Sequence, residues 1–218
     1  MTRSSLPIAV ALAAAAGLLL TACGGGGSDS SDKIQPSQTA TTSAAPVTTT
    51  PSPTASSVQR PVITLPSGAK NVFEDQHTGD AQKDAILHDN EQWVNSMDEA
   101  ILKGSLNTPA VGFYSTDKAL ESSITYIKGY LDKSDTWVGT TRFFDRKVTL
   151  MNDGTASVIY CSDESKAFLK DKKTGKIDNT PTTAESYVLY NTRLAKSKQG
   201  IWRTTQVISD RGAKQCQP

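Results

Sequence analysis

The sequence predicts an α+β domain, with N-terminal helices packed on one face of a curved antiparallel sheet. Three observations predict it. Apolar residues recur at helical spacing between about residues 80 and 133. From about residue 136 the period changes to two, as in half-buried strands. Turn signals, "NDG", "KKTGK" and "SKQG", then separate the strand-like runs into hairpins. Helices first and antiparallel strands afterwards is the order of an α+β fold.

In chain order, residues 1–22 come first. Arg3 is their only charged residue, and an apolar run extends from Leu6 to about Leu20. The run is shorter than the roughly 20 residues a spanning helix needs, so it reads as an export signal. It ends in "LTAC", Leu20 to Cys23, which resembles the lipobox of bacterial lipoproteins. That resemblance implies a diacylglycerol thioether on Cys23, cleavage before it, and acyl chains such as palmitate holding the protein at the extracytoplasmic face of the cell membrane. Two or more acyl chains anchor stably where one is marginal. The resemblance covers only the first 23 residues.

Residues 23–70 are expected to be a disordered tether behind the lipidated cysteine. Gly, Ser, Thr, Pro and Ala dominate it, and through residue 57 only Ile34 and Val47 are large and apolar. Such a segment cannot bury enough surface to offset its ordering entropy. As a flexible coil it would reach about 35–40 Å, and its prolines extend it further. "GGGG" follows no strand and opens no helix, so it is not a phosphate loop. The Thr/Pro clustering is compatible with O-glycosylation.

Residues 71–218 hold the folded domain. The first helix carries Ile86, Trp93, Val94, Met97 and Ile101 at helical spacing, with Leu87 on the flank. Asp80 can cap its start and Gly104 its end. The second places Leu120, Ile124, Ile127 and Leu131 on one stripe, with Ser115 or Thr116 as its cap. "TWVGTTRFFDRKVTLM" and "TASVIYCS" read as paired strands around "NDG". "KAFLKDKKTGKID" reads as a shorter hairpin, and "ESYVLYNTRLAK" and "GIWRTTQVISD" form the last one. Composition excludes a nucleic-acid protein: 23 basic against 22 acidic residues, and net zero once Arg3 is removed with the leader, leaves no steering field.

The two helices, "NDG", "VIYCSD", the "TGK" tip, "GIWR" and the terminal Cys216 together resemble the nuclear-transport-factor-2-like superfamily, the cone fold shared with ketosteroid isomerase. They particularly resemble its small secreted or lipid-anchored actinobacterial members. The resemblance spans roughly residues 78–218 and implies a cone-shaped domain. Members often carry three helices before the sheet, so a short turn is expected around residues 105–115.

The chain has three cysteines, an odd number. With Cys23 given to lipid and the compartment disulfide-permissive, Cys161 in a middle strand and Cys216 beyond the last strand are expected to pair. A nucleophilic Cys161 would need a base, and both histidines, His77 and His88, lie far off in sequence. Asp163 shares a strand face with Cys161 and is expected to organise the next turn, with a pocket carboxylate as the alternative. His88, Asp84 and Glu91 share a helix face that is polar throughout, a solvated face rather than a metal site. Lys170, Lys172, Lys173 and Lys176 read as a solvated hairpin tip. Trp93, Tyr126, Tyr130, Tyr160 and Tyr190, with Asp163, are the candidate lining of a pocket. No catalytic residue, metal or cofactor is assigned.

The resulting reading is a lipid-anchored, non-enzymatic envelope protein that binds a small molecule or another protein, with no nucleic-acid partner. One alternative is an isomerase-, dehydratase- or cyclase-like enzyme using a pocket carboxylate. The other is a structural interaction module acting through homodimerisation. An acid facing a tyrosine or a second acid inside an open cone would favour the enzyme, a cavity without such a pair would favour binding, and a filled cone would favour the interaction module.

Overall fold

The computed structural model describes residues 58–218. The expectations for the leader, for Cys23 and for the tether up to residue 57 lie outside the described residues.

Helix α1 spans Ala81–Lys103, α2 Pro109–Tyr114 and α3 Asp117–Lys133. Asp80 caps α1 as its spacing predicts, accepting bonds from the backbone N–H groups of Gln82 (2.8 Å) and Lys83 (3.2 Å). Gly104 ends the helix at φ 71°, a left-handed position that costs glycine nothing. α2 is the turn expected around 105–115, started by Pro109 in its first turn. Thr116 stands at the N-cap of α3. Of the expected α3 stripe, Ile127 is buried and Leu120 and Leu131 pack against the core, whereas Ile124 is exposed. Ala119 and Ser123, which accepts the Trp93 indole N–H at 3.1 Å, widen the buried face on its other side.

The strands are β1 (Ala69–Phe73), β2 (Asp135–Leu150), β3 (Ala156–Asp171), β4 (Ile177–Asp178), β5 (Tyr187–Lys196) and β6 (Trp202–Arg211). They form one sheet in the order β1-β2-β3-β5-β6, with β4 paired to the far end of β3. The antiparallel meander is as expected, but the sheet is mixed, because β1 runs parallel to the edge of β2. "AKNVF" follows the Pro66-Ser67-Gly68 turn, where the Ala69 amide donates to the Pro66 carbonyl at 3.0 Å, but its five residues carry too little pattern to be read as a strand. Contacts with the folded domain are also made before residue 71. Val58 and Ile63 pack against the core, Arg60 pairs with the buried Asp89, and the Thr64 amide donates to Glu99 at 2.9 Å.

Bulges bend the sheet. β2 shifts register between Thr140 and Arg142 and again between Phe144 and Lys147, where Asp145 adopts φ 51°. β6 carries an extra residue, Thr205, opposite Arg193 and Leu194. Each extra residue kinks its strand and flips the facing of the residues beyond it. Thus Trp137, Thr141 and Phe143 face the helices before the second bulge of β2, and Arg146 and Val148 turn inward after it. The main core gathers Ile86, Tyr114, Val158, Leu194 and Trp202, all 2% exposed or less, under α1 and α2.

On the opposite face of the sheet, Cys161 and Cys216 are joined by a disulfide with Cα atoms 5.5 Å apart. The 3₁₀ turn Lys214–Cys216 and Ala213 lie over Tyr187, with Phe144 and Leu189 beside them. The bridge closes a sequence separation of 55, which the chain-entropy picture values at roughly 4 kcal/mol.

Candidate functional site: an aromatic cavity with one free acid

Where the sheet curves away from α1 and α3 it leaves an open cavity of about 490 Å³. α1 contributes Trp93, Val94, Met97 and Asp98, and α3 contributes Ser123, Tyr126 and Tyr130. β2 adds Trp137, Thr141 and Phe143, and β3 adds Tyr160, Glu164 and Phe168. Tyr190 of β5 and Val207, Ser209 and Arg211 of β6 complete the wall. Eight of the chain's fourteen aromatic residues line this one space. Tyr160 stacks on Tyr190 with centroids 5.1 Å apart, and Phe143 meets Tyr160 edge-on at 6.1 Å. Tyr126 and Tyr130, one turn apart on α3, hold their hydroxyls 3.2 Å from each other, and Tyr126 is 48% exposed. Burial pushes the Tyr160 and Tyr190 phenols well above their ordinary range, so both present neutral hydroxyls.

Two carboxylates face this space in different circumstances. Glu164 is ion-paired: Arg211 donates to its Oε2 from Nη1 at 2.8 Å, and Ser162 donates to its Oε1 at 3.3 Å. Asp98 has only neutral partners. Asn71 donates to Oδ2 at 2.6 Å and the Trp137 indole N–H donates to Oδ1 at 3.2 Å. Burial, opposed only in part by those two bonds, pushes its pKa up to about 7, and the negative charge of Glu164 adds to the rise.

Five of the six residues proposed from sequence, Trp93, Tyr126, Tyr130, Tyr160 and Tyr190, meet at the cavity. Asp163 does not. β3 does not end at Ser162 but runs on to Asp171, so Asp163 organises no turn there. It lies on the face away from the helices, accepting from the Ser165 amide at 3.0 Å and standing 3.6 Å from Arg142. The pocket acid is its neighbour, Glu164, which shares parity with Tyr160. Asp98 was also legible in principle, being four residues from Val94 and three from Ile101 on the apolar side of α1. Arg211 was not, since counting by twos from Trp202 puts it outside. Only the Thr205 bulge brings it in.

His88 is exposed on α1, and His77 stands 3.8 Å from Asp84 on the surface, so neither histidine lines the cavity. The lysine-rich tip is not wholly free: Lys172 donates to the carbonyls of Ile101 (3.1 Å) and Leu102 (3.2 Å) and caps the end of α1.

Several solved structures are similar to this chain at low identity. One is a ketosteroid isomerase-like protein from Erwinia carotovora atroseptica, 14% identical, covering 61% of this chain and 97% of that one with a TM-score of 0.43. Another is the intermembrane space region of the chloroplast protein ARC6, 14% identical over the same shares, with a TM-score of 0.37. A third is an NTF-2-like protein of unknown function from Shewanella oneidensis, 17% identical, covering 56% of this chain and 96% of that one with a TM-score of 0.34. No family model matches the chain, and no curated protein does.

Proposed function

We propose that this chain is an extracytoplasmic, lipid-anchored binding protein whose cone takes up a small molecule. The observation that carries the reading is the open, aromatic-walled cavity of about 490 Å³, within the size range of small-molecule sites. A filled cone would have favoured a purely structural interaction module. The anchor at Cys23 and the spacing by the tether rest on the sequence alone.

Asp98 faces Glu164 and several tyrosines inside the open cone, the arrangement expected of the enzyme. Binding is preferred because these groups are not joined as a proton-sharing pair: Glu164 is held by Arg211, and among the described residues no tyrosine hydroxyl bonds Asp98. The enzyme reading keeps a second supporting observation. Asp98, with a pKa of about 7, is suited to take or give a proton at neutral pH, as an isomerase or dehydratase acid–base would.

The test is a titration of the full mature chain with Nile red, a neutral dye whose emission reports an apolar site. Saturable blue-shifted emission is expected, and it should be abolished by Val207→Trp, which fills the cavity from β6. A signal unaffected by Val207→Trp, or no saturable signal, would remove the binding reading.

A further inference from the structure

We infer that the cavity is built for an organic cation, an ammonium-type group on an apolar body, seated beside Asp98 within the aromatic walls. The inference rests on the binding reading above and names the ligand class. It comes from a charge count inside the cavity. Arg211 is committed to Glu164 at 2.8 Å and to the Glu185 carbonyl at 2.7 Å, so that pair is neutral. Asp98 has no cationic partner among the described residues, and its two donors, Asn71 and Trp137, are uncharged. One net negative charge is therefore left facing the cavity.

The walls agree with that charge. Aromatic faces carry negative quadrupoles and attract ammonium groups, and Trp93, Trp137, Tyr126, Tyr130 and Tyr190 all surround the same space as Asp98. An anionic ligand would be repelled by Asp98 and would have to separate Arg211 from Glu164. A neutral apolar ligand would cover Asp98 without supplying a counter-charge, and desolvating an unpaired carboxylate is costly. A cation alone supplies both the missing partner and a fit to the rings.

Protons compete for the same position. The groups facing Asp98 are Glu164 and Tyr160 on β3, Tyr126 and Tyr130 on α3, Tyr190 on β5 and Arg211 on β6, together with Asn71 and Trp137. Of the acids among them only Glu164 is near enough to shift Asp98. Cation affinity should therefore fall as pH drops below about 7, where Asp98 takes up its proton, and level off above it.

The experiment compares benzyltrimethylammonium with its uncharged carbon isostere, neopentylbenzene, on the full mature chain at pH 8. Tryptophan emission reports binding, since Trp93 and Trp137 line the cavity. The cation should bind about tenfold tighter than the isostere, a difference of the size cation–π and ion-pair contacts supply. Asp98→Asn should erase that preference by weakening the cation while leaving isostere binding at least as tight, since no unpaired carboxylate is then covered. Glu164→Gln, which releases the charge of Arg211 into the cavity, should also weaken the cation and keeps the test open if Asp98→Asn does not fold. Equal binding of cation and isostere by the parent protein, or a preference that survives both variants, overturns the inference while the binding reading stands. Failure of both probes together with failure of Nile red to bind overturns the two together.

Discussion

Two aspartates on α1 mark the difference between the closed and the open end of the molecule. Asp89, 1% exposed, accepts the Trp202 amide at 2.8 Å and pairs with Arg60, which lies on the segment before β1. Around it Ile86, Tyr114, Leu194 and Trp202 fill the space. Asp98 has neutral donors only, and the space beside it is empty of protein. The first acid is balanced by a charge the fold supplies. The second is held in a state that costs stability, the pattern expected where a group is kept for what it meets rather than for what it holds together. A buried charge thus reads as structural or functional by whether the chain itself brings its counter-charge.

The largest expected effect lies at the closed end. Asp89→Ala removes the partner of Arg60 and the acceptor of the Trp202 amide, and it should cost about 2–4 kcal/mol in urea unfolding, softened because Arg60 can turn to water. A loss below about 0.5 kcal/mol would mean that Asp89 is no more structural than an ordinary surface acid.

The open end should behave in the opposite sense. With a pKa of about 7 in the folded protein against about 3.9 unfolded, Asp98 keeps its proton in the folded state between those values while the unfolded chain has lost it. Stability therefore falls as pH rises from about 4 to 7 and is flat with respect to this group above that. Asp98→Asn has no such term. Its stability relative to the parent should improve by roughly 2–3 kcal/mol between pH 4 and 8, the full linkage value being reduced because water reaches the cavity. Unfolding midpoints at the two pH values measure it. A difference that does not change with pH would show Asp98 ionised as readily as an exposed acid.

The smallest effect on stability belongs to the cavity mouth. Tyr126 is 48% exposed and touches Tyr130 edge-on at 5.3 Å, so Tyr126→Ala should cost under about 1 kcal/mol. It should nonetheless weaken Nile red binding severalfold. Unchanged dye affinity would confine the site to the inner walls.

Much of this architecture could be read from local pattern. Asp80 and Gly104 bound α1 because capping is decided by residues a turn apart. "NDG" and "SKQG" place their hairpins for the same reason. Trp93, Tyr160 and Tyr190 were legible as members of apolar faces, whereas Tyr126 and Tyr130 lie beside the α3 stripe and stood out only as aromatic residues. The acids were harder. Asp163 stands out in the sequence because it comes two residues after Cys161, yet one step along a strand changes the face, and Glu164 is the residue inside. β1 was invisible because five residues carry little pattern and its partner, the edge of β2, is far along the chain.

By itself the sequence determined the order of helices and strands, the hairpin turns and the polarity of the surface. Each comes from chemistry that acts over a few residues, or from counting. Tertiary structure decided which side chains enter the cone. The bulges at Asp145 and Thr205 reverse strand facing and bring Arg146 and Arg211 inward. Asp98 becomes unusual only through its surroundings, since α1, α3 and the curved sheet enclose it without delivering a cation. Curvature and desolvation are sums over distant parts of the chain, which is why no short stretch of residues announces them.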